Sequence, residues 1–306
     1  MKNNVFLVLF NLLCLMGFSQ SNIRLNNYWE NTYYINPASI YSEYKFIASV
    51  AGRKQWIEFP GAPNTEYILA AARINTQKNI QVGQIGIKAF RDEIGYTKLI
   101  NISTSYSYSI RLKKNLLMNL GIAFSFQQVS YDMTQSKLET IGDPVIGMIE
   151  NQKSNNADLG VEFIGKSILI GAASQNLGSL FTSENKLQTN SSFLYVMHRE
   201  RIENSFYIQS GICAIKNEKL NQLELNVSGF LNPKNIPNIF QLGVFYRTRN
   251  EFGVLLGIDL NESVRLACSY DYNVSGISHN SIGTSELMLI WKFGKLPDCK
   301  CRELYK

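Results

Sequence analysis

Only two histidines occur in the 306-residue chain, His198 and His279, and they stand far apart. A nucleophilic relay needs such a ring beside a serine or cysteine and a carboxylate. A zinc or hydrolytic metal site needs several ligands at fixed spacing. Neither pattern is present: the sequence holds no GxSxG, no HExxH, no phosphate-binding loop and no glycine-rich dinucleotide motif. Cys213 and Cys268 fall at strand positions, where a small apolar wall residue is the simplest reading. Cys299 and Cys301 are one residue apart, too close for a relaxed disulfide and unlike a CxxC redox or zinc pair. Pairing with each other, with a partner or with nothing stays open for them. Asp259 and Asp271 lie on the polar parity of their segments. Asp92, Asp132, Asp143 and Asp158 sit near segment ends, where turn chemistry accounts for them. The expectation is a chain with no catalytic residues, no metal and no cofactor.

The segments that hold these residues alternate. From Leu99 to Leu112 one parity reads Ile100, Ile102, Thr104, Tyr106, Tyr108, Ile110, Leu112, and the other is Asn, Ser and Arg. After Lys113–Asn115 the pattern resumes, with Leu116 to Phe126 apolar on one parity and small or polar residues on the other. A period of two is the signature of a strand, and these strands outrun the usual length of about five or six residues. A greasy face backed by a small polar face suits a membrane barrel wall, apolar to lipid and polar to a lumen. The predicted fold is all-β, a transmembrane outer-membrane β-barrel of about fourteen antiparallel strands. The sixth strand is expected over 157–165. Links after even-numbered strands are short, while those after odd strands include every long one: 54–64, 132–156, 176–190 and 273–283. Short periplasmic turns with longer outer loops fit that order. Trp291 and Phe293 close the last strand, where interfacial aromatics belong.

The ends complete the organisation. Met1-Lys2-Asn3-Asn4 precedes an apolar run from Val5 to Phe18 and then Ser19, the layout of a secretory signal peptide. Cys14 lies inside that run as an incidental apolar residue. No later stretch reaches the roughly 18 apolar residues of a membrane helix. We therefore divide the chain into a signal peptide (1–19), a polar-aromatic periplasmic or lumenal segment (20–45), a barrel (46–293) and a periplasmic tail (294–306). The net charge of +6 is dispersed, with no run of Lys or Arg longer than two. Nucleic-acid binding needs a concentrated basic face, so no nucleic-acid partner is expected.

One loop stands apart. Arg53, Gln55, Trp56, Pro60, Gly61, Ala62 and Pro63 combine large aromatics with turn formers. The loop either folds onto the barrel mouth or presents aromatic anchors for recognition. Here the sequence resembles the PorP/SprF family of type IX secretion system outer-membrane proteins of Bacteroidota. The resemblance rests on Asn36-Pro37-Ala38, Arg53-Lys54-Gln55-Trp56 and Pro60 to Thr65. It continues through Asp92 with Gly95, Tyr106-Ser107-Tyr108, Asn176-Leu177, Tyr270 to Ser275, and Gly283 with Glu286. Two departures are Ser39-Ile40-Tyr41 after the Asn-Pro-Ala and Ser285 before Glu286, where the family often has histidine. The resemblance implies a non-enzymatic barrel that assists secretion or surface attachment of particular cargo. It implies partners as well: outer-membrane lipid, the periplasmic ring and peptidoglycan-associated components, and cargo with a C-terminal sorting domain such as large adhesins. A channel for small hydrophobic solutes is the alternative, since fatty-acid-transporter barrels share the strand number and an N-terminal inner segment.

Overall fold

A computed structural model describes residues 25–40, 44–75, 82–113, 115–131, 151–181, 187–203, 205–218, 221–232, 239–248, 251–274 and 281–295. The expected signal peptide, Cys14, Asp132, Asp143, His279, Cys299 and Cys301 lie outside them. Fourteen strands form the wall: β1 Tyr44–Lys54, β2 Asn64–Asn75, β3 Val82–Ile94, β4 Thr97–Lys113, β5 Leu116–Tyr131, β6 Gln152–Ile164 and β7 Ile168–Gln175. The wall continues with β8 Ser191–Glu203, β9 Phe206–Asn217, β10 Asn221–Leu231, β11 Phe240–Arg247, β12 Glu251–Asp259, β13 Val264–Asn273 and β14 Thr284–Lys295. Each pairs antiparallel with its sequence neighbours, and β1 pairs with β14 to close the barrel. Closure satisfies every strand edge, which a bilayer demands because it offers no water to an unpaired backbone group.

The alternation sets which side chains face where. Ile102, Tyr106, Phe124 and Phe126 point outward, while Asn101, Ser103, Ser107, Asn119, Ser125 and Gln127 are buried inside. Phe46 and Phe293 meet across the closing seam with ring centroids 5.8 Å apart. At the opposite rim Tyr246 and Phe252 lie 4.8 Å apart. These pairs mark the two interfacial levels of the apolar band. Tyr44 and Lys295 are paired at one rim, the rim that faces the periplasm in outer-membrane barrels.

Two boundaries differ from the sequence reading. β6 begins at Gln152, five residues before 157, because β5 runs to Tyr131 and offers its ladder: Gln127 pairs with Ser154 and Val129 with Gln152. Residues 152–156 are polar on both faces, so backbone pairing alone makes them a strand and no periodicity reports it. The wall itself spans Tyr44 to Lys295, two residues beyond 46–293 at each end. Cys213 faces inward and Cys268 lies on the outward parity of β13, so the wall separates the two thiols.

Candidate functional site: a filled lumen beneath a stapled outer loop

Residues 25–40 occupy the interior. Two short 3-10 turns, Asn26–Trp29 and Thr32–Tyr34, carry side chains that are buried throughout. Asn31 caps the second turn by accepting from the Tyr33 N–H at 3.0 Å. A compact, non-repeating path of this kind has no ladder to satisfy its backbone, so the wall must supply partners. Glu286 of β14 accepts from the Asn26 N–H at 2.6 Å, the Asn27 N–H at 2.9 Å and the Asn27 side chain at 2.8 Å. Lys88 donates to the Tyr34 carbonyl at 3.2 Å, and Gln175 donates to the carbonyls of Tyr34 and Ile35 at 3.2 and 3.0 Å. Gln84 donates to the Ser39 carbonyl at 3.0 Å and Ser107 to that of Pro37 at 2.6 Å.

Side chains anchor the plug as well. Asn36 donates to the Val161 carbonyl (3.1 Å) and the Tyr195 hydroxyl (2.9 Å), and its own oxygen accepts from the Ala38 N–H (2.9 Å). The Trp29 indole N–H and the Arg247 guanidinium both donate to Glu224. Arg247 also donates to Asn26 at 2.8 Å. Glu30 accepts from Arg265 at 2.8 Å, and Arg265 reaches Asp259 at 2.8 Å. Burial alone would push the Glu30 carboxyl up. The charges of Arg265 and Lys292, with hydrogen bonds from Arg265 and Gln241, hold it below its ordinary 4.5.

Lumen-facing glycines record where the plug presses on the wall. A Cβ at Gly160 would overlap the Asn36 side chain, and one at Gly121 the backbone of Pro37 and Ala38. Cβ atoms at Gly86 and Gly211 would overlap the rings of Tyr33 and Trp29. Wall and plug therefore touch without an intervening side-chain layer, which only glycine permits.

Above the plug lies the β1–β2 loop. Ile57 N–H donates to the Gly283 carbonyl at 2.9 Å, and Ile282 N–H returns a bond to Ile57 at 3.2 Å. Gly95 N–H donates to the Gly61 carbonyl at 3.0 Å. The loop is thus tied to both the β13–β14 and the β3–β4 connections. Trp56 and Glu58 adopt positive φ (46° and 75°), a region that costs non-glycine residues of order 1–3 kcal/mol each, so these ties hold a strained path. Gln55 bonds its N–H to Pro63 at 3.0 Å, closing the loop base. Trp56 is half-buried against Phe59, their centroids 6.4 Å apart, while Phe59, Pro60 and Gly61 are exposed. Ala62 is half-buried and Pro63 buried. Arg53 is a wall residue: its side chain is buried in the lumen, 3.9 Å from both Asp271 and Glu286.

The structure thus gathers residues that the sequence presents far apart. Arg53, Asp271, Glu286 and Asn26 meet at one level of the lumen. Thr65 donates to Asp92 at 2.5 Å. Asn176, at φ 58°, bonds its N–H to Asp158 at 2.8 Å and accepts from Gln127 at 2.7 Å. Glu224, Arg247 and Arg265 escaped the sequence reading, since charged residues on a lumen parity look alike until a plug selects among them. His198 lies on the outward parity of β8, away from this cluster. Among the described residues no group of His, Cys, Asp and Glu is arranged to hold a metal ion.

Comparison with known proteins fits this architecture. The chain resembles in fold the Ralstonia pickettii toluene transporter TbuX, at 8% identity, covering 86% of this chain and 93% of that one with a TM-score of 0.56. The Pseudomonas putida toluene transporter TodX gives 10%, 90%, 94% and 0.50, and the CymD monoaromatic hydrocarbon channel 11%, 91%, 96% and 0.51. At these identities the likeness is one of fold. Among curated proteins no relative matches the sequence. The family model described as "Type IX secretion system membrane protein PorP/SprF" matches residues 17–291. A match across the plug and nearly the whole wall, on a closed barrel with an outward apolar belt, makes this chain a member of the PorP/SprF family of type IX secretion system membrane proteins, resident in the outer membrane.

Proposed function

We propose that this barrel assists the secretion or surface attachment of particular cargo proteins, and that it works by docking, without conduction and without catalysis. The observation that carries the reading is the filled lumen. Residues 25–40 are buried and bonded around the inner wall, so the interior supports a scaffold better than a conduit. Its partners in this reading are the periplasmic ring and peptidoglycan-associated components of the type IX machinery, and cargo with a C-terminal sorting domain, such as large adhesins. The outer loop at Gln55, Trp56, Pro60, Gly61, Ala62 and Pro63, fixed by the Arg53 strand end, is the contact element, because a stapled loop with exposed aromatic surface loses little entropy on binding.

Surface proteomics of a deletion strain tests this. The expected result is loss of one or a few sorted proteins from the surface with small-molecule uptake unchanged. Unchanged display of every sorted protein, or a specific defect in uptake of a hydrophobic solute, would move the function to the channel class of the transporters that share the fold. For the loop, Trp56→Ala should leave assembly intact and reduce cargo display. Normal display would remove the loop from the mechanism.

A further inference from the structure

The lipid-facing wall is not uniform around the barrel. Across β4 to β8 it is hollowed into an apolar recess of about 730 Å³, with Tyr106, Leu120 and Leu159 beside the small Ala172, Ser174 and Ser192. Gly121 and Gly160 line its back, the same glycines that admit the plug on the inner side. The recess climbs toward the outer rim. Tyr106, Ile122, Leu159, Ser174, Ser192 and Lys216 are successive partners across the strands. Tyr106 stands nine residues from the outer end of β4, whereas Lys216 is one residue from that of β9. Tilted strands impose such a rise on a row of partners.

Three cations overlook the recess. Lys98 on β4, Lys153 on β6 and Lys216 on β9 all occupy the outward parity near the outer ends of their strands. Lys153 and Lys216 are exposed. Lys98 also lies 4.0 Å from Glu93, a carboxylate already held by Arg91 at 3.0 Å. Among the described residues no acid shares the outward face at the outer end of β5 to β8, which carries Gln128, Ser130, Asn155 and Ser192 instead. Lys153 is six residues outward of Leu159, about 20 Å along the strand and about 15 Å in depth at a tilt of about 40°. That depth is one leaflet of the roughly 30 Å hydrocarbon core.

Charge and span identify the occupant. Cations on the outward parity above an apolar surface face lipid headgroups and not the lumen. From β4 to β9 they spread over five strand intervals, about 24 Å, too wide for the single phosphate of a phospholipid. A headgroup with two phosphates bridges that width, because lysine stems lie along an apolar wall and carry their ammonium groups toward it. A second copy of the barrel in a two-fold contact would set the same lysines against each other. We propose that this face is a specific site for a phosphorylated, multiply acylated glycolipid of the outer leaflet, its phosphates on the lysines and its acyl chains in the recess. The site is independent of the cargo reading of the outer loop.

Native mass spectrometry of the full chain, delipidated in a neutral detergent, tests this. The probes are diphosphorylated lipid A, the same lipid A with both phosphates removed, and phosphatidylglycerol. One diphosphorylated lipid A per barrel should be retained, about tenfold or more tighter than either other probe. Lys98→Gln, Lys153→Gln and Lys216→Gln together should weaken it by about tenfold or more. Ala172→Trp, which fills the recess and leaves every charge in place, should weaken it too. If that variant loses the heat-modifiable barrel form, Ser192→Phe replaces it with the same expected loss. Lys45→Gln with Lys295→Gln, at the periplasmic rim, should leave retention unchanged. Retention of either control lipid at equal strength overturns the proposal, as does indifference to the lysine or to the recess substitutions. Equal weakening by the periplasmic pair overturns it as well. A lipid-free dimer that Ala172→Trp splits would also overturn it and give the face to a second copy.

Discussion

Glu286 joins two structures at once, capping the first turn of the plug through three hydrogen bonds while its other neighbour is the Arg53 guanidinium at 3.9 Å. Removing one partner from such a buried group leaves the other uncompensated, typically at about 3–5 kcal/mol. Glu286→Ala should therefore lower thermal stability by that order and loosen the plug, which single-channel recording in planar bilayers would register as new conductance. Silent bilayers with a large stability loss would mean that the plug holds without its cap. Glu30 adds a pH dependence of known sign. Its carboxyl is held below 4.5 in the folded chain, so its contribution is complete above that value and fades as the pH falls through the folded-state value. Thermal unfolding followed downward from pH 5 should lose less stability in Glu30→Gln than in the parent chain.

At the scale of elements, the strands owe their form to alternation and the plug owes its form to the strands. Every segment with a clean apolar parity was legible in the sequence, β4 and β5 most of all, because lipid on one side and packed polar groups on the other enforce a period of two. The first five residues of β6 were not legible, since a ladder from β5 makes them a strand without any side-chain pattern. Arg53 shows the same limit at a strand end: its neighbours Gln55 and Trp56 belong to a loop, while parity turns its own side chain into the lumen. The inner path of residues 25–40 depends on partners spread along the wall from Ser49 of β1 to Glu286 of β14, which no local pattern encodes. Its footprint is nevertheless written in the wall glycines. Gly211→Val should push the Trp29 ring off the wall and away from Glu224, an overpacking that typically costs about 1–3 kcal/mol. Intrinsic tryptophan fluorescence and unfolding temperature would both report it, and an unchanged spectrum would show that the ring does not rest on β9.

For the whole molecule, wall and plug have separable roles. The wall is held by its closed ladder and the lipid-facing belt, neither of which includes residues 25–40. Deleting 25–40 should accordingly leave a heat-modifiable barrel that still inserts into the outer membrane, while turning a silent protein into a conducting one in planar bilayers. A deleted chain that fails to insert would instead make the plug a folding template. The contacts that hold the plug have a further consequence in time. Asn26 and Glu286 are separated by 260 positions, almost the full length of the chain, and β14 is also the strand that meets β1. Asn26 and Asn27 thus gain their Glu286 cap only when the last strand arrives, and contacts of such span form late because the intervening chain must be ordered first. Closing the wall and capping the plug's first turn become one event: a chain truncated before Thr284 would lack both its seam and this cap, and would betray itself to the cell as a leak.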